Sequence, residues 1–189
     1  MTEYVLSQDP LIKLVHGDSM EYLRRCRPKE FDLAITDPPY GIYASSHREN
    51  NRSKLAVSKS YHKALWDQPR ATRKFFRRLR AKTSNQIIFG ANHFISELPI
   101  DSSGWIVWDK MNGNSSYSDC ELAWTSFDRG VRKFNCRWSG MMQYDMANKE
   151  VRIHPTQKPL PSWTENNTRM GVQWLRRSPR MSWDATVCV

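Results

Sequence analysis

The stretch Phe31-Asp32-Leu33-Ala34-Ile35-Thr36-Asp37-Pro38-Pro39-Tyr40 decides the predicted fold. It begins as a short apolar run, which predicts a buried strand. Two prolines then end the strand, because each fixes φ and lacks a backbone N–H group. Asp37 is therefore expected at the carboxyl end of a strand, where open α/β sheets bind their ligands. This carboxylate, the Pro38 carbonyl and the Tyr40 ring suit the binding of a planar base by its amino group. A proline turn after a core strand is the alternative interpretation.

A second motif, His154-Pro155-Thr156-Gln157-Lys158-Pro159, lies far downstream. The two motifs in this order resemble the β group of amino-methylating DNA methyltransferases, and His16-Gly17-Asp18 resembles the lead-in to their catalytic strand. Further similar stretches are residues 90–94, 105–110 and 119–125. The resemblance covers residues 11–160. It implies an α/β, Rossmann-like sheet of the kind that binds S-adenosylmethionine.

The resemblance also implies roles for individual residues. The catalytic residues would be Asp37, Pro38, Pro39 and Tyr40. The cofactor S-adenosylmethionine would lie against Asp18, Thr156, Gln157 and Lys158, with Lys158 pairing with its carboxylate. An aspartate at the first catalytic position implies transfer to adenine N6, with cytosine N4 as a variant activity. Asp18 has a second interpretation as the cap of the helix that follows it.

The charge of the chain favours a polyanionic partner. Its 189 residues include 29 Lys and Arg against 19 Asp and Glu, a formal net charge of +10. The resemblance implies that this partner is double-stranded DNA. A helix is predicted to begin at Pro69, with Thr72, Phe75, Phe76 and Leu79 on one face. Its remaining surface carries the candidate DNA-binding residues Arg70, Arg73, Lys74, Arg77, Arg78 and Arg80. A solvated amphipathic face is the alternative interpretation.

The order of elements predicts a single catalytic domain at residues 1–160 and an atypical tail at 161–189. Strands are predicted at 11–15, 31–36, 86–89, 104–108 and 121–126, and a short helix at 20–25, which together favour an α/β sheet. The predicted loop at 41–62 is either a part that closes on DNA or a linker. The tail contains one glycine, Gly171, and lacks the glycine-rich cofactor loop that the resemblance implies. We therefore expect an incomplete sheet.

The atypical tail leaves two interpretations of function open. One is an active adenine methyltransferase, completed by a second chain or by a homo-oligomer. The other is an inactive remnant that at most binds DNA non-specifically, its tail being out-of-frame or degenerate sequence.

Other classes of protein are not favoured. The sequence has no apolar run long enough to span a membrane and no leader, so a cytoplasmic protein is expected. The four cysteines, Cys26, Cys120, Cys136 and Cys188, have no CxxC spacing. We therefore expect reduced core thiols and no metal site.

Overall fold

The computed structural model describes residues 1–8, 11–41, 70–98, 101–113, 118–139, 142–151, 157–159 and 185–188. In these residues the α-helices are α1 (Ser19–Arg25) and α2 (Arg73–Lys82), and a 3-10 helix covers Ala91–His93. The strands are β1 (Thr2–Gln8), β2 (Leu11–His16), β3 (Phe31–Thr36), β4 (Thr83–Phe89), β5 (Trp105–Asp109), β6 (Cys120–Thr125), β7 (Arg132–Asn135), β8 (Trp138–Ser139), β9 (Met142–Gln143) and β10 (Ala185–Cys188).

The main sheet has six strands in the order β10-β3-β4-β6-β5-β7. β3 is parallel to β10 and β4, and β5 is parallel to β7, whereas β6 runs antiparallel between β4 and β5. The carboxyl ends of β3, β4 and β5 therefore lie at one edge together with the amino end of β6. We call this the carboxyl edge. The prediction of an α/β fold is confirmed, and the sheet is mixed rather than wholly parallel.

One face of the sheet is covered by α1 and α2. Leu23 of α1 and Phe76 of α2 are buried in one cluster with Ala34, Ile88 and Trp124 of the sheet. Alternation along a strand sends neighbouring residues to opposite faces, so that Leu33 and Ile87 belong to a second buried cluster. Full burial of a side chain such as Phe76 contributes about 1.5–3 kcal/mol. This packing fixes β3, and with it the position of Asp37.

The predicted apolar face of the second helix is confirmed for Phe75, Phe76 and Leu79 but not for Thr72, which is exposed. The predicted start of the helix is wrong. Phe75, Phe76 and Leu79 are buried, yet α2 begins at Arg73 and Thr72 is its extended N-cap residue. Ala71 donates its backbone N–H to the Pro39 carbonyl at 3.3 Å, which holds the chain extended before the helix. Arg70 therefore precedes α2. Pro69 and residues 42–62 of the loop predicted at 41–62 lie outside the described residues.

Two further expectations need correction. The predicted strand at 11–15 extends to His16, but it pairs antiparallel with β1 in a separate two-stranded sheet and does not join the main one. Cys26 and Cys136 are buried as expected, whereas Cys120 is exposed because it begins β6 at the carboxyl edge. No helix in the described ranges is long and apolar enough to cross a membrane.

Candidate active site at the carboxyl edge of the sheet

Asp37 lies directly after β3, as the sequence predicts. The Tyr40 hydroxyl donates a hydrogen bond to Asp37 Oδ1 at 2.6 Å. Pro38 between them is buried, and the Pro39 carbonyl accepts the bond from Ala71 N. The turn thus holds the carboxylate and the ring at a fixed distance from each other.

Lys158 of the second motif reaches the same point. Its Nζ lies 3.1 Å from Asp37 Oδ2 and 2.7 Å from Glu121 Oε2. The Tyr40 hydroxyl is 3.4 Å away, although Tyr40 and Lys158 are 118 positions apart in the chain. The Lys158 side chain is only 8% exposed, against 22% for Asp37. The two motifs therefore meet through a buried ion pair.

A second lysine completes this group of charges. Lys110 Nζ lies 2.6 Å from Glu121 Oε1, at the end of the neighbouring strand β5. Two ammonium groups and two carboxylates thus alternate in the order Lys110, Glu121, Lys158, Asp37. We call these four residues the charge cluster. A buried charge is tolerated only when it is paired, and in the charge cluster each charge has an opposite neighbour.

The environment keeps the two central residues ionised. Burial alone would lower the pKa of Lys158, but Asp37 and Glu121 outweigh it and raise that pKa above its ordinary value. Burial would likewise raise the pKa of Glu121, but Lys158 and Lys110 outweigh it and hold that pKa below the usual range. At neutral pH the pair of Lys158 and Glu121 is therefore an ammonium and a carboxylate.

Aromatic rings surround the ammonium group of Lys158. Its Nζ lies 5.8 Å from the centroid of the Tyr40 ring, 5.6 Å from that of Phe89 and 5.9 Å from that of Trp108. Cations at such distances are attracted by the electron-rich faces of aromatic rings. The rings also shield the Lys158 ammonium group, whose side chain is 8% exposed, from water, which strengthens its ionic contacts.

The Tyr40 ring is packed closely on its own side of the site. It stacks on the His93 ring with centroids 4.8 Å apart. Gly90 lies against the Tyr40 ring and has a positive φ of 64°, and a Cβ atom at Gly90 would overlap that ring. A side chain other than hydrogen is therefore excluded at this position. A base that stacks on the face of Tyr40 covered by His93 must displace the His93 ring.

The predicted cofactor residues are only partly brought together. Asp18 accepts a hydrogen bond from Glu21 N at 3.0 Å and is the N-cap of α1, as the alternative interpretation has it. Thr156 lies outside the described residues. The Gln157 carbonyl accepts a hydrogen bond from Trp138 Nε1 at 2.8 Å, and Pro159 is fully buried. Both neighbours of Lys158 are therefore anchored, which directs its side chain inward.

The basic residues of the second helix fall into different environments. The guanidinium groups of Arg70, Arg73 and Arg78 donate to the carbonyls of His93, Ser96 and Met20, respectively. Lys74 and Arg77 are exposed, and Arg80 is half-buried near the far end of α2. Because α2 leads into β4, its amino end lies at the carboxyl edge. Arg70 and Arg73 are thus near the charge cluster and Arg80 is remote from it.

Sequence reasoning missed Glu121 and Lys110. Lys110 directly follows β5 and Glu121 is the second residue of β6, and a charged residue directly after or near the start of an apolar strand is the signal that marks them. Within the described residues, no group of three or more His, Cys, Asp or Glu side chains is arranged to hold a metal ion.

Two comparisons of the sequence, with protein families and with curated proteins, found no match. Function is therefore inferred from the residues of the carboxyl edge.

Proposed function

We propose that the carboxyl edge is the catalytic site of a DNA methyltransferase that transfers a methyl group from S-adenosylmethionine to the N6 amino group of adenine. The observation that carries the proposal is the ion pair between Asp37 and Lys158. It joins the two motifs on which the resemblance rests, and it does so at the end of a sheet strand, where α/β proteins bind their ligands.

Asp37 retains the capacity to bind an amine. An ionised carboxylate has about four acceptor positions, and the Tyr40 hydroxyl and Lys158 use one each. A remaining position on Asp37, together with the Pro38 carbonyl, can accept the two N–H groups of an exocyclic amine. Those hydrogen bonds draw the nitrogen toward tetrahedral geometry and localise its lone pair.

The reaction then needs positioning more than acid–base chemistry. S-adenosylmethionine supplies a methyl group that its positive sulfur has already activated. The adenine nitrogen forms a bond to the methyl carbon while the carbon–sulfur bond breaks, and the electron pair of that bond stays on sulfur. The surplus proton leaves the nitrogen afterwards to Asp37 or to water. Fixed orientation of the carboxylate is the contribution of the protein.

Double-stranded DNA is the proposed substrate, and the target base must leave the stack to reach Asp37. Lys74 and Arg77 are the residues of α2 best exposed to contact phosphate. Arg73 is also exposed, at the end of α2 that borders the carboxyl edge. Phosphate contacts of this kind orient the duplex without reading its sequence.

The test is transfer of a tritiated methyl group from S-adenosylmethionine to unmethylated DNA, with Asp37→Ala as the matched control. The proposal predicts incorporation by the wild-type chain that the Asp37→Ala variant lacks. Equal incorporation by the two proteins, or none by either, contradicts it.

A second candidate is the inactive remnant that binds DNA without catalysis. The observation that favours it is that both oxygens of Asp37 already have partners within the protein, Tyr40 on one and Lys158 on the other. This candidate predicts DNA binding with strong salt dependence and no methyl incorporation.

A further inference from the structure

We propose that Lys158 and Glu121 are positioning residues for Asp37: Lys158 orients the Asp37 carboxylate, and Glu121 holds Lys158 in place. This inference rests on the proposed methyl transfer at Asp37. It gives Lys158 a different role from the one that the resemblance implies, because its ammonium group pairs with carboxylates of the protein rather than with that of the cofactor.

Lys158 and Tyr40 hold the two oxygens of the Asp37 carboxylate. Its Nζ lies 3.1 Å from Asp37 Oδ2, and the Tyr40 hydroxyl holds Asp37 Oδ1 at 2.6 Å. One oxygen of the carboxylate is thus held from each side. A carboxylate fixed at both oxygens cannot rotate about its terminal bond, so its remaining acceptor positions keep one direction. A target amine requires this fixed direction for in-line attack.

Glu121 holds the Lys158 side chain in one position. A lysine side chain has four rotatable carbon–carbon bonds and would not by itself hold one position. Glu121 Oε2 lies 2.7 Å from Lys158 Nζ, and Glu121 Oε1 is in turn held by Lys110 Nζ at 2.6 Å. Because β6 begins at Cys120, Glu121 belongs to the sheet and is as rigid as the strand that carries Asp37.

The low exposure of Lys158 separates its ammonium group from a cofactor carboxylate. At 8% exposure its side chain is enclosed by the site, and Pro159 beside it is fully buried. A cofactor carboxylate could pair with this ammonium only after entering a space that Asp37 and Glu121 already fill. Substitution of Lys158 is therefore expected to disturb catalysis through Asp37 and to leave cofactor affinity nearly unchanged.

The experiment compares Glu121→Gln, Lys158→Met and Lys133→Met in the full chain. Glu121→Gln keeps the shape of the side chain and removes its charge. Lys133 lies 2.8 Å from Asp109 at the same edge but is 58% exposed, so Lys133→Met is the matched control. With saturating DNA, kcat and the KM for S-adenosylmethionine are measured for each variant.

We expect kcat to fall about tenfold in Glu121→Gln and about a hundredfold in Lys158→Met, since a displacement of about 1 Å costs on the order of a hundredfold. The KM for S-adenosylmethionine should stay within about threefold of the wild type, and Lys133→Met should match the wild type in both constants. An increase of that KM in Lys158→Met, with kcat unchanged, would show that Lys158 contacts the cofactor and would overturn the inference.

A second measurement separates this inference from the proposed function. The equilibrium constants for urea unfolding are measured for Asp37→Asn, Lys158→Met and the double variant. If Lys158 fixes Asp37, the change in the unfolding constant of the double variant differs by about tenfold from the product of the changes in the two single variants, as for residues in direct contact. If the change in the double variant equals that product, the inference is overturned. If the wild-type chain transfers no methyl group, the proposed function fails, and this cycle still reports whether Lys158 holds Asp37.

Discussion

The charge cluster and the basic surface of α2 place charged side chains in opposite ways. In the charge cluster, two lysines and two carboxylates meet within the protein, and Lys158 is nearly enclosed. On α2, Lys74 and Arg77 extend into solvent, where a charge costs little and each residue can be replaced without moving its neighbours. The difference teaches that the fold determines which residues the charge cluster can contain. The residues on the surface of α2 are constrained only by what binds to them.

The largest effect is expected from breaking the cluster at its centre. Lys158→Met removes the cation between Asp37 and Glu121, so that Lys110 remains paired with Glu121 but Asp37 loses its ammonium partner. Removal of one partner from a buried ion pair costs about 3–5 kcal/mol. We therefore expect the free energy of unfolding to fall by about that amount in urea titrations followed by tryptophan fluorescence.

The control for this prediction is Lys133→Met, which breaks the exposed pair with Asp109. Exposed pairs contribute about 0–1 kcal/mol. Equal losses in the two variants would mean that Lys158 is no more constrained than a surface lysine, and the comparison between the two regions would fail.

A second prediction concerns the packing beneath Tyr40. Gly90 and Gly113 have nearly the same positive φ, 64° and 62° respectively. A Cβ atom at Gly90 would overlap the Tyr40 ring, whereas at Gly113 it would meet no atom of the described residues within 4 Å. Both Ala variants incur the strain of a positive φ, about 1–2 kcal/mol. Gly90→Ala should lose a further 1–3 kcal/mol or so from overpacking.

The difference between the two glycine variants isolates the contact with Tyr40. It is measured as the difference in free energy of unfolding under identical conditions. If Gly90→Ala and Gly113→Ala are equally stable, Tyr40 is not held against Gly90 as described.

The pH dependence of stability tests the charge of Glu121. Its pKa in the folded protein lies below the ordinary value of 4.5, because the two lysines outweigh burial. A lowered pKa contributes stability that is complete above the unfolded pKa and is lost as pH falls through the folded pKa. As pH falls below 4.5, the free energy of unfolding should therefore decrease less steeply in Glu121→Gln than in the wild type. The two slopes should differ by up to about 1.4 kcal/mol per pH unit.

Two carboxylates outside the charge cluster that also have lowered pKa values do not obscure this measurement. Hydrogen bonds from Lys133 and from Asn148 lower the pKa values of Asp109 and Asp145, respectively. Both residues are present in the wild type and in the variant, so their contributions cancel in the difference. Parallel pH profiles for the two proteins would show that Glu121 is not ionised as we describe.

The smallest effect on the fold is expected on α2. Replacing both Lys74 and Arg77 by Gln should change stability by less than about 0.5 kcal/mol, as for most surface substitutions. If the two residues contact phosphate, the slope of log affinity for duplex DNA against log salt should fall by about 2. Lys149→Gln, an exposed lysine outside α2, should leave the slope unchanged. Equal slopes for all these proteins would remove α2 from the DNA interface.

Sequence patterns predicted the elements whose packing follows from local residue order. The apolar run of β3 and its proline break place Asp37 correctly, and the spacing of Phe75, Phe76 and Leu79 gives the buried face of α2. The start of α2 was predicted wrongly because a hydrogen bond between Ala71 and Pro39, distant in sequence, keeps the preceding residues extended.

The charge cluster depends on pairing across the sheet, which the sequence does not reveal. Glu121 reaches Lys158 only because β6 runs antiparallel between β4 and β5 and brings its amino end to the carboxyl edge. Sequence also could not distinguish Arg78, which donates to the Met20 carbonyl and ties α2 to α1, from the exposed Arg77 one position earlier.

The most direct test of the central claim is the identity of the modified nucleoside. Unmethylated duplex DNA is incubated with S-adenosylmethionine that carries a deuterated methyl group, then digested and analysed by mass spectrometry. We predict labelled N6-methyladenine with the wild-type chain and none with Asp37→Asn, a variant that keeps the shape of the side chain and removes its charge. Absence of labelled N6-methyladenine from the wild-type reaction, or equal amounts from both proteins, would contradict the account.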